Sequence, residues 1–313
     1  MSYKIGAYPG LNNTQHFYPM NKFRTLLYTG FLTVISTLPL PTNAAAPIHA
    51  RWHNESSDTI RINTILTEAA SPERTVNQLM VHIGKQFEGT PYVASTLEGP
   101  EEILTVNLDG MDCTTFVETV AALALTVSEH RSSWQDFLYN LEQLRYRQGR
   151  IDGYASRLHY FSDWVVDNTH RGNLREMTDR TPTYFYIVKT LDYMSSHRDA
   201  YPALSDDNTY NNIKNAEVGY RSHRYPYVKS AELMSKKSNS WIKEGDVIAF
   251  TTKTPGLDVS HMGIVVMIDG EAHLMHASSK DGKVEIDTLP LAEYMRKNRN
   301  LTGARFIRIG EQR

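Results

Sequence analysis

Along residues 57–88 the apolar positions recur at helical spacing in two groups. Ile62, Ile65 and Leu66 make one short face. Val76, Leu79, Met80 and Ile83 make another, after the start signal Ser71-Pro72-Glu73. Gly89, Thr90 and Pro91 end this unit, and 92–110 reads as a loop with a strand-like patch at 103–108. An apolar helix is predicted from Asp112-Cys113 to Ser128, with Phe116, Val120, Leu123 and Val127 as its inward repeat. A second helix, 133–147, places Trp134, Phe137, Leu138, Leu141 and Leu144 on one side. Residues 150–170 are aromatic and too irregular for a pure core helix. The stretch 184–188 reads as a strand, and 191–235 as helix plus long loop.

From Lys243 the period shortens to two. Strands are predicted at 245–251, 260–267, 272–277, 283–286 and 304–309, with Asp269-Gly270 and Asp281-Gly282 as turns between three of them. Helices come first and a largely antiparallel sheet follows, so the expected class is α+β. No internal repeat, glycine-rich phosphate loop or low-complexity tract interrupts the chain.

The segment 20–46 has a different character. Lys22 and Arg24 follow Met20, an uncharged apolar stretch runs from Thr25 to Leu40, and Ala44, Ala45 and Ala46 close it. This is the tripartite pattern of a secretory signal peptide. It is shorter than the roughly 20 apolar residues that span a bilayer, and Pro39 and Pro41 interrupt its end. The reading is therefore a signal peptide at 20–44, preceded by an over-extended start at 1–19. A single domain, 45–313, follows, with helical insertions at about 150–240. Cleavage after Ala44 removes Lys4, Lys22 and Arg24 but no acid, so the formal charge moves from −2 to −5. The expected location is the periplasm, with no stable membrane anchor after cleavage.

Composition narrows the field further. Apolar residues make up 41% and charged residues 22%, ordinary for a globular protein with an ample core. The near balance of charge excludes a globally basic nucleic-acid binder, and no nucleic-acid partner is expected. Cys113 is the single cysteine, so the chain forms no internal disulfide and no multi-cysteine metal site. In an oxidising compartment a lone thiol belongs in a restricted cleft or in the core.

The neighbours of that thiol suggest chemistry. Asp112 can act as N-cap and place Cys113 in the first helical turn, where the helix dipole favours a thiolate. A cysteine that opens a buried helix can also be purely structural. His261 begins one predicted strand and His276 ends the next. A two-residue turn at Asp269-Gly270 sets His276 opposite Gly263, diagonal to His261 and on the same face, with Ser278 opposite His261. One imidazole can then pair with Cys113 while the other orients it. His273 falls on the other face. A metal site of Cys113, His261 and His276 is the alternative reading of the same three residues.

Four blocks, MDCTTFVET, GYASRLHYFSDWVVDN, GDVIAFTTKTPGLDVSHMGIVV and LMHASS, occur in the order found in one family. The chain resembles the N-acetylmuramoyl-L-alanine amidase-like family of the NlpC-type branch of papain-like cysteine hydrolases, over roughly 75–310. The resemblance implies a circularly permuted papain-like fold, with the nucleophile on a helix that precedes the sheet. By position it implies Cys113 as nucleophile, His261 as general base and His276 as third residue, with Ser278 in reserve. It further implies that Tyr154, Arg157, His159, Tyr160 and Trp164 line or support the cleft, with Tyr92 covering it from the other side. Arg157 is the member suited to hold a stem-peptide carboxylate. Asp112 is expected as the helix cap, and Asp258 and Ser260 as strand-entry residues near His261. The implied activity is a cysteine amidase acting on peptidoglycan or muropeptides, which needs no metal or other cofactor. A stem-peptide endopeptidase and a catalytically silent wall-binding module are the alternatives.

Overall fold

Two of the expected helices form where the periodicity places them. A short strand, β1 (Ala50–Trp52), precedes α1 (Glu55–Ala69), which buries Ile62, Ile65 and Leu66. Next comes α2 (Val76–Lys85), which buries Leu79, Met80 and Ile83. It starts at Val76 because Thr75 and Gln78 close a capping box there. The strand-like patch is β2 (Leu104–Val106), which pairs in parallel with β1. In this computed structural model residues 48–71, 73–235 and 241–310 are described, all within the unit Ala46–Arg313. The expected start at 1–19 and signal peptide at 20–44 lie outside the described residues.

The central helix, α3 (Cys113–Ser128), has thirteen of its sixteen residues buried, so only its ends can do chemistry. Helices α1, α2 and α4 (Trp134–Arg145) pack around it, and the sheet covers its remaining side. Residues 150–170 are half regular: irregular up to Tyr160, they then enter α5 (Phe161–Arg171). The segment beyond contributes β3 (Leu174–Glu176), β4 (Phe185–Lys189), α6 (Tyr193–Ser196), α7 (Asp207–Val218), β5 (His223–Lys229) and α8 (Ser230–Leu233). Strand β5 falls where helix and loop were expected. It carries Pro226, which argues against a strand in sequence, yet it pairs with β4 and β10.

The C-terminal strands are β6 (Val247–Thr252), β7 (Val259–Ile268), β8 (Glu271–Ser278) and β9 (Lys283–Pro290). After the short helix α9 (Leu291–Lys297), β10 (Leu301–Ile309) closes the set. The eight-stranded sheet runs β4-β5-β10-β6-β7-β8-β9, with β3 also on β10, and its pairs are antiparallel. The chain is thus α+β, with helices first and a mainly antiparallel sheet after them.

One sheet face packs on α1–α4 through Met262, Ile264, Val266 and Met275. The other packs on α8 and α9 through Phe250, Val265, Leu274 and Phe306. At the β7–β8 turn both Asp269 and Gly270 take positive φ, 51° and 81°, as a tight two-residue hairpin requires. The ladder runs from Ile268 opposite Glu271 to Ile264 opposite Met275, which sets Gly263 across from His276 as expected. A third cluster, around Tyr160, Leu191, Met194 and Ile213, anchors the α6–α7 insertion. Among the described residues no helix is long and apolar enough to cross a membrane.

Candidate active site

Cys113 occupies the first position of α3, and Asp112 is its N-cap. The Asp112 carboxylate accepts from the Thr115 N–H at 2.8 Å, while the Thr115 hydroxyl accepts from the Asp112 N–H at 2.9 Å. This box holds the first turn rigid while the rest of α3 is buried. Cys113, half-buried as a residue, then lines a cavity of about 110 Å³ with Glu118, His159, Trp164, Ser260 and His261.

His261 enters the same cavity from the start of β7. Its Nε2 is 2.6 Å from His276 Nδ1, so Nδ1 of His261 is the nitrogen left for the thiol. Phe250 stacks on the His261 ring with centroids 6.2 Å apart and planes within 8°. Tyr294 meets the His276 ring edge to face at 5.9 Å. Neither Phe250 nor Tyr294 was legible as a site residue. Phe250 reads as one apolar position of a strand, and α9 is too short to show a period. Ser278 donates to the Asp281 carboxylate at 3.0 Å and so shapes the β8–β9 turn; it is His276 that touches His261. His273 bonds the Asp287 carbonyl, away from the pair.

Burial decides the charge state of the free site. It pushes the Cys113 thiol up to about 11, with the Asp112 charge adding to it. The Met262 N–H, the Thr114 side chain and the N–H of Cys113 act the other way and lose. Burial likewise holds His261 down to about 3 and His276 to about 4. The expectation that the helix dipole favours a thiolate is therefore corrected: the free site holds a neutral thiol beside a neutral imidazole. The helix terminus contributes its partial charge, but desolvation of the sulfur outweighs it.

The flanking candidates divide into two groups. His159 and Trp164 line the cavity. His159 Nε2 is 2.9 Å from the Tyr154 carbonyl, its ring lies on Tyr154, and Trp164 stacks on Phe161. Burial raises the Tyr92 hydroxyl, with smaller contributions from nearby Cys113, once that thiol ionises, and from Asp112. Ser260 sits exposed at the bulge that opens β7 and lines the cavity rim. Arg157 does not face the cavity. It is clasped by Glu98 at 2.7 Å and Glu102 at 3.4 Å, with Tyr154 against its guanidinium, so a substrate carboxylate finds it occupied. Tyr160 is a packing residue whose hydroxyl donates to Glu217 at 2.6 Å and accepts from the Met194 N–H. Buried Asp258 caps α5 from outside, accepting the Ser162 N–H at 2.6 Å, and also accepts the Val259 N–H at the entry to β7.

Among the described residues no cluster of three or more His, Cys, Asp or Glu is placed to hold a metal ion.

A helix-borne thiol, a strand-borne imidazole and a second imidazole behind it, on this α+β frame, define a papain-like cysteine hydrolase. The model of the AmiA-like family, described as N-acetylmuramoyl-L-alanine amidase-like, matches residues 82–303. The chain belongs to that family. A solved N-acetylmuramoyl-L-alanine amidase from Bacteroides uniformis is 40% identical, with a TM-score of 0.69 over 74% of this chain and 98% of its own. A Bacteroides fragilis protein provisionally called a xylanase is 42% identical, with a TM-score of 0.68 over 72% of this chain and 98% of its own. A Legionella pneumophila protein, 24% identical over 83% of this chain and 96% of its own, shares the fold with a TM-score of 0.64. The comparison with curated proteins gave no match.

Proposed function

We propose that the chain is an exported cysteine amidase, cutting the N-acetylmuramoyl-L-alanine amide of peptidoglycan or muropeptides in the periplasm. Residues 45–313 are its catalytic domain, with the insertion at about 150–240 forming one wall. The observation that carries the reading is the 2.6 Å bond between His261 Nε2 and His276 Nδ1, which leaves Nδ1 as the free ring nitrogen of a histidine that lines the same cavity as Cys113. A thiol and an imidazole that are both neutral at rest suit a concerted start: Nδ1 takes the proton as the sulfur attacks the carbonyl. The Cys113 N–H, which has no intrahelical acceptor at the helix start, is a donor for the developing oxyanion. His261 then returns the proton to the leaving amine of L-alanine, and water resolves the acyl-enzyme.

A glycosidase reading has no support at this site. Such chemistry needs two carboxyl groups flanking the scissile bond. Glu118 is the one carboxylate among the residues lining the cavity, and Arg145 holds it at 2.6 Å.

The test is a muropeptide digest analysed by mass spectrometry, with wild type and Cys113→Ala in parallel. Free sugar plus intact stem peptide is expected from wild type and neither from the variant. A shortened stem still attached to sugar would overturn the choice of bond. Cleavage by Cys113→Ala would overturn the mechanism.

A further inference from the structure

Two neutral imidazoles carry two ring protons over four nitrogens. In the histidine pair one proton lies between His261 Nε2 and His276 Nδ1. The other must sit on an outer nitrogen, either His276 Nε2 or His261 Nδ1. Only the first arrangement leaves His261 Nδ1 with a lone pair for the Cys113 proton.

No hydrogen bond makes that choice. His276 is 3% exposed, and its Nε2 is buried without a partner. The surroundings must therefore choose. Behind the pair lies a cavity of about 430 Å³, lined by both histidines and by Asp281, Asp287 and Tyr294, with Lys280 and Lys297 among its other charges. On β9, Glu285 stands opposite His276, and Asp287 follows two residues on, at the irregularity in the ladder. Asp281 is tied to Ser278 in the turn and hydrogen-bonded with Glu285. Asp287 accepts from the Leu289 N–H through Oδ1, and of the nearby charges it favours a proton on His276 most. The Tyr294 ring lies nearly perpendicular to His276, at 83°.

We propose that Asp287 is a positioning residue: its carboxylate, in the cavity beside His276, holds the outer proton on His276 Nε2 and so leaves His261 Nδ1 bare for Cys113. This rests on the assignment of Cys113 and His261 made above, and deepens it.

The experiment is long-range proton–nitrogen NMR of histidine-labelled protein near neutral pH, joined to kinetics. Wild type should show Nδ1 unprotonated on both His261 and His276. In Asp287→Asn the amide oxygen can still accept from Leu289, but the charge is gone. Its histidine signals should move toward the other tautomer, and kcat should fall about tenfold with KM little changed, well short of the roughly 10⁴ cost of a fully wrong tautomer in a serine triad. Asp287→Glu should restore most of both. A protonated His261 Nδ1 in wild type overturns the inference, whether or not the variants fold. So does an Asp287→Asn protein with unchanged tautomer or unchanged kcat. A wild type that shows the stated tautomer yet cleaves no muramoyl amide would sink the amidase reading and leave this inference standing.

Discussion

His159, His261 and His276 are all held neutral, with burial first among the causes, at about 3, 3 and 4. In the unfolded chain each would titrate near the ordinary histidine value of about 6.5. The folded value is the lower one, so on acidification the unfolded chain binds protons first. Stability is therefore full above about pH 6.5 and falls as pH drops toward 4, by up to about 1.4 kcal/mol per pH unit for each histidine. Urea midpoints measured from pH 7 to pH 5 should show this decline, and His159→Phe should flatten it by one proton. The thiol obeys the same logic with the opposite charge. Because burial raises Cys113, iodoacetamide should alkylate it more slowly near neutral pH than it does a free cysteine. A faster rate would mean that a resting ion pair forms after all.

At the scale of elements, the β7–β8 hairpin delivers the two histidines. Its register depends on the close approach of β8 to Gly263. A Cβ there would meet the Met275 carbonyl oxygen at 2.6 Å, Leu274 Cδ1 at 2.7 Å and His276 Cβ at 3.0 Å. Gly263→Ala must therefore push β8 away and lengthen the bond between the rings. We expect about 1–3 kcal/mol of destabilisation from overpacking. We also expect a loss of kcat larger than any change in KM, measured with matched thermal stability. The hairpin was legible in advance because a turn of fixed length and strict alternation are local rules. The cap on α5 was not. Asp258 lies 96 positions from Ser162, whose N–H it accepts, and nothing in either neighbourhood announces the contact.

Across the whole molecule, Arg157 ties the start of the insertion to the loop before β2 through Glu98 and Glu102. Its side chain is 7% exposed and that of Glu102 is 5% exposed, so Arg157→Ala strands a buried carboxylate. Removing one partner of such a pair costs about 3–5 kcal/mol. The variant should show a much lower melting temperature. Its KM should change equally for a substrate with free stem carboxylates and for one with amidated carboxylates. A selective loss for the free carboxylates would return Arg157 to the substrate-binding role its position in the motif implies.

The sequence by itself determined what short-range rules govern. Helical and strand periods, the Asp112 cap, the Asp269-Gly270 turn and the adjacency of His261 to His276 all follow from spacing within a few residues. Tertiary structure decided what depends on which distant atoms meet and how much water remains between them. Packing set the protonation of Cys113 and His261, because desolvation is a property of the finished cavity. It engaged Arg157 with two acids some 55–60 positions away. It also seated Phe250 and Tyr294 against the histidine pair, a contact that no local pattern encodes.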